Sequence, residues 1–453
     1  MARDAIRRGP GLETKNPEIW LLQDGEPLPF DGGAPVMRTA HLASKLRELG
    51  VSVKWWASAF DHRLKQYHQV RENPVQLDRG YSIFLLNGPP YAKNLSLARI
   101  RHYRSLAAAY SRMTESVPPP SLILGSYPSP ELCEAGLLTA LRHRVPFVVD
   151  IRDTWPDLFP DYFPRAMRWA LWPLLWYYRK KIRFVTRASR GIVSVSDAML
   201  RWGLGYAGRA PNDFDSVFHI GYPKPVAARA FSLPSHFSEA QPLVCLFATT
   251  CGRSYDGISL IQAARILEMR GERRARFVIT GNGEMRSRWM KLASGLGTVL
   301  FPGWINNREW LVKSHVGLIL LQEGLARYWL GNKFFEYLSA DLALINNVSG
   351  ECSDLIFRHR IGWNVPPRRP ERLADLIEQL IANPGLLQDT IANSGRTFAQ
   401  MFDRDQISER YALFVLGHLS HHEEPGGSCR DVAMSGRALV ERAGPVRTAG
   451  RDE

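Results

Sequence analysis

Short apolar runs alternate with segments of helical periodicity along most of this 453-residue chain, and the alternation occurs twice. In the first half, the apolar runs lie at 19–23, 51–58, 81–88, 121–127, 146–151, 191–196 and 216–221. In the second half, they lie at 243–249, 276–281, 298–301, 316–321 and 342–347. Parallel strands that are buried on both faces produce such runs, with helices between them. The sequence therefore predicts an α/β protein with two doubly wound, Rossmann-like domains.

The Pro-rich segment 222–241 separates the two halves and is predicted to be a linker. This places an N-terminal domain at 18–221 and a C-terminal domain at 242–385, facing each other across a cleft. Residues 386–421 are predicted to form helices that brace both domains. Ligands of doubly wound sheets bind beyond the carboxyl ends of the strands, so the cleft is the expected site.

The two ends of the chain depart from this pattern. Residues 1–17 and 422–453 are polar and aperiodic, which predicts disordered tails. The first residues carry charge but no apolar run after it, which argues against a secretory signal. No apolar stretch of the sequence is long enough to span a bilayer as a helix.

The charge balance indicates an anionic partner. Lys and Arg number 58 against 44 Asp and Glu, which gives a net charge of +14. A phosphorylated substrate, an acidic membrane surface and nucleic acid are the three classes of partner that fit. The hydrophobic fraction of 45% and the charged fraction of 23% are ordinary for a globular protein, which excludes a disordered, a fibrous or a polytopic membrane protein.

The cysteines indicate a reducing compartment. The five residues are Cys133, Cys245, Cys251, Cys352 and Cys429. They are scattered and form no C-x-x-C, which argues against a disulfide scaffold and against a zinc site. We therefore expect a cytoplasmic protein.

Two motifs of the C-terminal domain favour a phosphorylated ligand. Gly281, Asn282 and Gly283 follow a predicted strand and precede a helix, where backbone N–H groups can approach a phosphate. The alternative is a tight turn without a ligand. Asn332 opens another predicted helix, with Lys333 in its first turn and Glu336 one turn later, on the same face. Lys333 can hold a diphosphate and Glu336 can accept hydrogen bonds from ribose hydroxyls, or the two can simply form a salt bridge.

The order of three segments resembles a known family. GNGEMRSRW, FPGWINNREWL and LGNKFFEYLSADLALI occur in this order. They are similar to segments of the retaining glycosyltransferases of family 4, which have the two-domain GT-B fold. The pattern GRSYD, with NKFFEY, resembles the subgroup that transfers N-acetylated amino sugars in bacterial surface polysaccharide biosynthesis, such as O-antigen or capsule.

The resemblance implies roles for individual residues. Glu336 would bind the ribose of a nucleotide sugar, Trp304 and Ile305 would border its base, and Arg253 would lie beside its diphosphate with Lys333 as a second cation. The first Glu of the family's Glu-x7-Glu pattern is missing, and Trp329 stands in that region. Basic side chains and a helix N-terminus can neutralise the diphosphate, so no metal and no other cofactor is expected.

The N-terminal domain contains further segments that match this subgroup. Gly32 and Gly33 lie between the first strand and the first helix, where glycine allows close approach to a sugar or phosphate. The alternative is an ordinary loop. Asp61 and His62 follow the second strand and are predicted to lie in a loop on the acceptor side.

The segment VVDIRDTWPDLFP is the most distinctive part of the N-terminal domain. Asp150, Arg152 and Asp153 follow a strand that ends at the cleft, and Asp150 is predicted to bind the acceptor. Arg152 cannot act as a base, because its pKa stays above ~12, so it would bind the charge of a phosphate. Asp153 would orient or deprotonate an acceptor hydroxyl. The alternative is a structural ion pair between Arg152 and Asp150 or Asp153.

An aromatic and basic segment at 164–190 favours a membrane surface. It contains eight Lys or Arg and no acidic residue. Trp and cations together are typical of a helix that lies in a membrane interface. The residues predicted to contact lipid are Trp169, Trp172, Trp176, Arg179, Lys180 and Lys181. Packing of this helix on the sheet and binding of RNA are the alternatives.

Together these features predict a metal-independent glycosyltransferase with retention of configuration. It would move a sugar from a nucleotide diphosphate sugar, most plausibly UDP-linked, to a lipid-linked or saccharide acceptor in cell-surface polysaccharide biosynthesis. It would be peripheral on the inner face of the cell membrane, with no nucleic acid partner. The alternatives are a catalytically silent membrane-surface scaffold, a sugar-nucleotide epimerase on the same fold and an RNA-binding protein.

Overall fold

The computed structural model describes residues 17–30, 36–70, 72–77, 80–93, 96–163, 165–224, 233–303, 307–322 and 330–420. Apart from Pro17, the predicted tails lie outside these residues. The same holds for Gly32, Gly33, Trp304, Ile305 and Trp329.

The N-terminal domain is built on one large sheet. Its strands and those of a small hairpin are β1 (Glu18–Leu22), β2 (Ser52–Ser58), β3 (Phe60–Asp61), β4 (Gln66–Tyr67), β5 (Val75–Gln76), β6 (Ser82–Leu86), β7 (Leu122–Tyr127), β8 (Phe147–Ile151), β9 (Gly191–Ser194) and β10 (Ser216–Val217). The sheet has the order β10-β9-β8-β7-β1-β2-β6-β5, and β3 pairs with β4 separately. All its neighbours are parallel except β5 and β6, which run antiparallel.

The described α-helices of this domain cover the two faces of the sheet. They are α1 (Arg38–Glu48), α2 (Leu97–Thr114), α3 (Pro130–His143), α4 (Trp172–Ala188) and α5 (Asp197–Ala207). Successive side chains of a strand point to opposite faces. In β1, Ile19 and Leu21 accordingly enter one hydrophobic cluster, while Trp20 and Leu22 enter another. Both faces are therefore buried, as the continuous apolar run of this strand predicts.

The C-terminal domain repeats this architecture with a smaller sheet. Its strands are β11 (Leu243–Ala248), β12 (Ala275–Thr280), β13 (Val299–Gly303), β14 (Val316–Ile319), β15 (Ala343–Asn346) and β16 (Gly362–Asn364). They have the order β13-β12-β11-β14-β15-β16, and every neighbouring pair is parallel. The helices that follow these strands are α6 (Gly257–Met269), α7 (Arg286–Leu292), α8 (Asn307–Lys313), α9 (Asn332–Ser339), α10 (Glu351–His359), α11 (Pro370–Ala382) and α12 (Pro384–Thr397).

The last helix returns to the first domain. After a π-helical turn at Phe398–Phe402, α13 (Arg404–Ser420) packs along α1. Tyr411 is buried in the same cluster as Ile19, and its ring stacks on that of Phe218 at 4.7 Å. The two parallel, helix-covered sheets confirm the predicted α/β fold class. The candidate site residues lie in the loops that follow the carboxyl ends of these strands.

Candidate active site

A buried ion-pair network lies at the carboxyl end of β8. Asp150, near the end of this strand, is fully buried and accepts from two guanidinium groups. The Nε atom of Arg38 lies 3.1 Å from its Oδ2, and the Nε atom of Arg152 lies 2.9 Å from the same oxygen. Burial alone would raise the pKa of Asp150, but the two arginines outweigh burial and hold this pKa below its ordinary value. Asp150 is therefore a carboxylate that fixes two arginines.

The guanidinium of Arg152 is fully engaged within the protein. Besides Asp150, it donates through Nη1 to the carboxylate of Glu26 and through Nη2 to the hydroxyl of Thr39 at 3.0 Å. Glu26 also accepts from the backbone N–H of Thr39 at 3.0 Å. The Arg152–Asp150 pair, one of the alternatives drawn from the sequence, is thus present. Asp150, predicted to contact the acceptor, has no exposed surface, because both its oxygens face arginines.

Asp153 differs from these two residues because it faces a cavity. It is half-buried, and burial raises its pKa, which the N–H of Thr154 and the charge of Arg99 partly offset. A raised pKa makes a carboxylate a better base near neutral pH. The cavity has a volume of about 600 Å³, lies beyond the ends of β7 and β8, and is also lined by Arg99. Asp153 is therefore the predicted catalytic residue that is best placed to meet a substrate.

Asp61 and His62 lie together in a smaller cavity of about 210 Å³, which Asp24 and Glu26 also line. Oδ1 of Asp61 accepts from the N–H groups of the two loop residues Arg63 and Leu64, at 2.6 and 2.8 Å. Its Oδ2 is buried and has no partner among the described residues. This oxygen is available for a ligand hydroxyl, since a buried acceptor is costly to leave unpaired.

His62 is neutral in this environment. Its Nδ1 is hydrogen-bonded to the hydroxyl of Tyr91. Burial, together with the charges of Arg99 and Lys65, lowers the pKa of His62 to about 4. A neutral imidazole nitrogen can accept a hydrogen bond from the Tyr91 hydroxyl, so the sequence-predicted His62 contributes a polar but uncharged wall to the smaller cavity.

In the C-terminal domain, the glycine turn between β12 and α7 packs directly on the loop that follows β11. Gly281 has a φ of +102°, and a Cβ atom on it would lie 1.8 Å from the carbonyl oxygen of Thr249. A Cβ atom on Gly283 would lie 2.0 Å from the carbonyl oxygen of Thr250. Both glycines are therefore required for the contact of the two loops, which leaves the backbone of Asn282 exposed at the strand ends.

Arg253 lies beside this turn. Its Nε atom is 3.1 Å from Oε2 of Glu284, and both side chains are largely exposed. The loop of Arg253 is held by the chain that leaves β14, because the N–H of Asp256 donates to the carbonyl of Leu320 at 3.0 Å. Arg253 and the turn 281–283 thus share one edge of the sheet.

The first residues of α9 include the other described residues that were predicted to bind the donor. Asn332 is the first residue of this helix, and the ammonium of Lys333 donates to the carboxylate of Glu336. Glu336 is only 5% exposed, whereas Lys333 is half-buried. The salt bridge expected as the alternative to ligand binding is therefore present, but it lies in a partly buried position, not on a solvated helix face.

One contact between the domains was not anticipated from the sequence. Glu351, at the start of α10, accepts from the backbone N–H of Ala198 at 2.9 Å and lies 3.3 Å from the imidazole of His219. Burial raises the pKa of Glu351, but the hydrogen bonds from His219 and from the amides at the start of α5 outweigh it and lower this pKa. The ring of His219 also contacts Phe335, the neighbour of Glu336. Glu351 thus joins the two domains near α9.

The aromatic segment has an exposed side and a buried side. Trp169, Trp172 and Trp176 are 79%, 60% and 47% exposed. The rings of Trp172 and Trp176 stack at 6.4 Å, and the ammonium of Lys180 lies 3.6 Å from the centre of the Trp176 ring. These four residues form one surface, which we call the tryptophan face.

Two predicted lipid contacts lie away from the tryptophan face. Lys181 is buried and pairs with Glu134, because the next residue of a helix after Lys180 turns by about 100° toward the sheet. Arg179 pairs with Asp157 at 2.8 Å. Segment 164–190 therefore has exposed tryptophans on one side and basic residues that pair with acidic residues of the same domain on another. No described helix has the length and apolar composition to cross a bilayer.

Within the described part of the chain, no group of three or more His, Cys, Asp or Glu is placed to hold a metal ion. A D-x-D triplet, Asp213–Asp215, lies at a turn before β10, and Asp215 pairs with Arg209 at 2.6 Å.

Comparisons with known proteins find glycosyltransferase family domains in both halves of the chain. Residues 35–217 match the family described as Glycosyltransferase Family 4, and residues 242–383 match the family described as Glycosyl transferases group 1. No curated protein sequence is significantly similar to the chain.

Solved structures share the fold at low sequence identity. HepE of Anabaena in complex with UDP has 15% identity and a TM-score of 0.60, over 88% of this chain and 100% of that chain. Sucrose-phosphate synthase from Thermosynechococcus elongatus has 15% identity and a TM-score of 0.63, over 89% and 100%. WaaG, a glycosyltransferase involved in lipopolysaccharide biosynthesis, has 14% identity and a TM-score of 0.54, over 88% and 100%.

The two family matches lie one on each Rossmann-like domain, and the solved structures align with most of the chain, across both domains. The chain thus contains two domains that match glycosyltransferase families, one in each half, and it has the GT-B fold.

Proposed function

We propose that this glycosyltransferase moves a sugar from a UDP-linked donor to a lipid-linked or saccharide acceptor, with retention of configuration, in cell-surface polysaccharide biosynthesis. The main observation in support of a nucleotide-sugar donor is the partly buried Lys333–Glu336 pair at the start of α9. HepE is seen with UDP and with UDP-glucose, and WaaG takes part in lipopolysaccharide biosynthesis. These relatives support the donor class and the pathway class.

The donor site would work by neutralising negative charge. As the bond between sugar and diphosphate breaks, charge accumulates on the leaving phosphate. Lys333 and Arg253 place cations at the edge of the sheet where that phosphate would lie, and preorganised charges of this kind stabilise a transition state. Glu336 would accept hydrogen bonds from the ribose and at the same time fix Lys333. With these groups in place, we propose that transfer requires no metal.

On the acceptor side, Asp153 would orient or deprotonate the acceptor hydroxyl. Its carboxylate faces the cavity of about 600 Å³, and burial raises its pKa toward the range in which a base works. Arg152, which directly precedes Asp153 in the chain, would act as a positioning residue, since its guanidinium is held by Asp150 and Glu26. The tryptophan face would hold the enzyme at the inner surface of the membrane, where a lipid-linked acceptor lies.

The donor site is tested by thermal unfolding with UDP, GDP, ADP, dTDP and their sugars. A ligand at one hundred times its Kd stabilises a protein by about 2.7 kcal/mol, which is a measurable rise in Tm. We expect this rise with one nucleotide class for the wild type and its loss in Glu336→Ala. Glu309→Ala is the matched control, since Glu309 forms an exposed i,i+4 pair with Lys313 in the same domain.

A rise in Tm that persists unchanged in Glu336→Ala would contradict the role of Glu336. No rise with any nucleotide, in a protein that binds anionic vesicles, would favour the scaffold over the enzyme.

A further inference from the structure

Two helices from different domains begin beside each other. In the N-terminal domain α5 begins at Asp197, and in the C-terminal domain α10 begins at Glu351. The carboxylate of Glu351 accepts a hydrogen bond from the backbone N–H of Ala198, in the first turn of α5, at 2.9 Å. Because the N-terminus of a helix carries a partial positive charge, this one carboxylate lies between two positive helix ends, one from each domain.

Glu351 acts as a second cap of α5. Within the N-terminal domain, Oγ of Ser196 accepts from the N–H of Met199 at 3.2 Å, which is an ordinary N-cap. The first N–H groups of a helix have no partner inside that helix, and Glu351 satisfies the one of Ala198. The residue is only 9% exposed. Without this carboxylate, the two positive helix ends would face each other with no negative charge between them.

His219 connects this carboxylate with the donor-site helix α9. Its Nε2 atom lies 3.3 Å from Oε1 of Glu351. The centre of its ring lies 6.1 Å from that of Phe335 and 5.2 Å from that of Phe402. Phe335 is buried and directly precedes Glu336 in α9. One histidine of the N-terminal domain thus contacts both Glu351 and the helix that carries Lys333 and Glu336.

The chain passes between the domains next to this contact. The N–H of Tyr222 donates to the carbonyl of Phe402, and the N–H of Arg404 donates to the carbonyl of Tyr222, both at 3.1 Å. Gly221 has a φ of +64°, and a Cβ atom on it would lie 2.9 Å from the carbonyl oxygen of Phe402. The two crossing segments therefore touch at one point. A few residues at such a point can serve as a hinge, and the contact of Glu351 restrains rotation about it.

The groups in this contact are ones that water also solvates well. A carboxylate, an imidazole and a backbone N–H exchange hydrogen bonds with each other for hydrogen bonds with water, so the net cost of separating them is small. Interfaces between domains of one chain are commonly polar, and relative motion of the domains is the usual expectation. The contact of Glu351 can therefore form and break without exposing a hydrophobic core.

We propose that Glu351 is a positioning residue for the donor site, because it holds the two domains in the relative position in which the N-terminal domain supports α9. When this contact is broken, the domains rotate about the crossing segments and His219 moves away from Phe335. The nucleotide sugar then binds more weakly, although Glu351 itself does not touch it. The inference rests on the proposed nucleotide-sugar donor and adds a residue that acts on this site from the domain interface.

The first test is calorimetric titration of UDP into the full chain. The affinity of a ligand falls in proportion to the fraction of protein that is in the binding-competent arrangement, so we expect at least about threefold weaker binding of UDP in Glu351→Ala. Asp354→Ala is the matched control. Asp354 lies in the first turn of the same helix and carries the same charge, but it is exposed. We expect this control to bind UDP like the wild type.

The second test is small-angle X-ray scattering of the same proteins without nucleotide. We expect a larger radius of gyration for Glu351→Ala than for the wild type and for Asp354→Ala, because the domains separate. Glu351→Gln retains an oxygen that can accept from Ala198 but loses the charge between the helix ends, so its radius of gyration and its UDP affinity should lie between those of the wild type and Glu351→Ala.

A Glu351→Ala protein with the radius of gyration and the UDP affinity of Asp354→Ala would overturn the proposal. A lowered Tm with both values unchanged would also overturn it, since Glu351 would then be required only for stability. The scattering experiment needs no nucleotide, which separates the two possible failures. If the wild type does not bind UDP, the proposed donor is wrong, whereas the scattering difference still decides whether Glu351 holds the domains together.

Discussion

Asp150 and Arg152 form a buried ion pair at the carboxyl end of β8, in which Arg38 is the third member. Removal of one partner of a buried pair leaves the others charged and unpaired, which costs more than the pair itself contributes. The network is therefore a structural requirement of the loop that carries Asp153.

Asp150→Asn tests this requirement. We expect a loss of about 3–5 kcal/mol of unfolding free energy, because two buried arginines lose their charged partner. Urea unfolding monitored by circular dichroism measures the change. Glu309→Gln, which breaks an exposed pair, should change the unfolding free energy by less than about 1 kcal/mol. Equal stability of the two variants would contradict the structural role of Asp150.

Gly281→Ala tests the packing of the donor-side loops. The added Cβ atom would lie 1.8 Å from a backbone oxygen, at a φ of +102° that side chains rarely adopt. We expect at least about 2 kcal/mol of destabilisation together with weaker nucleotide binding, since the loop must move. Gly297→Ala is the control, because a Cβ atom there meets nothing within 4 Å. If Gly281→Ala has the same unfolding free energy and the same nucleotide affinity as Gly297→Ala, the close contact is not required.

The lowered pKa of His62 predicts that the stability of the protein depends on pH. Burial holds its pKa at about 4 in the folded protein, against 6.5 for the ordinary group. Between these values the unfolded chain binds the proton and the folded protein does not, so stability falls as the pH falls from 6.5 toward 4. Above pH 6.5 neither state binds this proton, so the protein has its full stability there with respect to His62.

His62→Gln removes this titrating group while other histidines with lowered pKa, such as His102, remain. We expect the urea midpoint of the variant to depend less steeply on pH between 6.5 and 4 than that of the wild type. Identical pH profiles would show that His62 is not held neutral by the fold.

The tryptophan face predicts a membrane phenotype without a folding defect. Replacement of Trp169, Trp172 and Trp176 by Ala removes exposed apolar surface, at roughly 1 kcal/mol of membrane binding each, so sedimentation with anionic vesicles should weaken about 100-fold. Tm should hardly change. Phe357→Ala should leave vesicle binding unaltered, since Phe357 is exposed on the other domain. Unchanged vesicle binding of the triple variant would reject this face as the docking surface.

Much of the fold could be predicted because buried parallel strands are continuous apolar runs. The strand β16 was not predicted, since Gly362, Trp363 and Asn364 give no such run, and the pairing of this edge strand depends on its neighbour β15. The aromatic and basic composition of segment 164–190 predicted exposure of Trp172 and Trp176, and it also predicted exposure of Lys181, which instead turns inward to Glu134.

The candidate site was predictable only where a motif lies in one segment. Lys333 and Glu336 are three residues apart, so their contact follows from helix geometry. The partners Arg38 and Asp150 are 112 residues apart, and sequence spacing gives no signal for such a pair. The contact of Glu351 with Ala198 depends on how two domains meet, which no local pattern encodes.

The most direct test of the account is transfer of labelled sugar from a UDP-sugar panel to lipids extracted from bacterial membranes. The account predicts that label from one UDP-sugar enters the organic phase, that NMR shows the anomeric configuration of the donor, and that Glu336→Ala abolishes the transfer. Label that stays in water, as donor or free sugar, while the protein binds UDP, would contradict transfer to a lipid-linked acceptor. Product of inverted configuration would contradict retention.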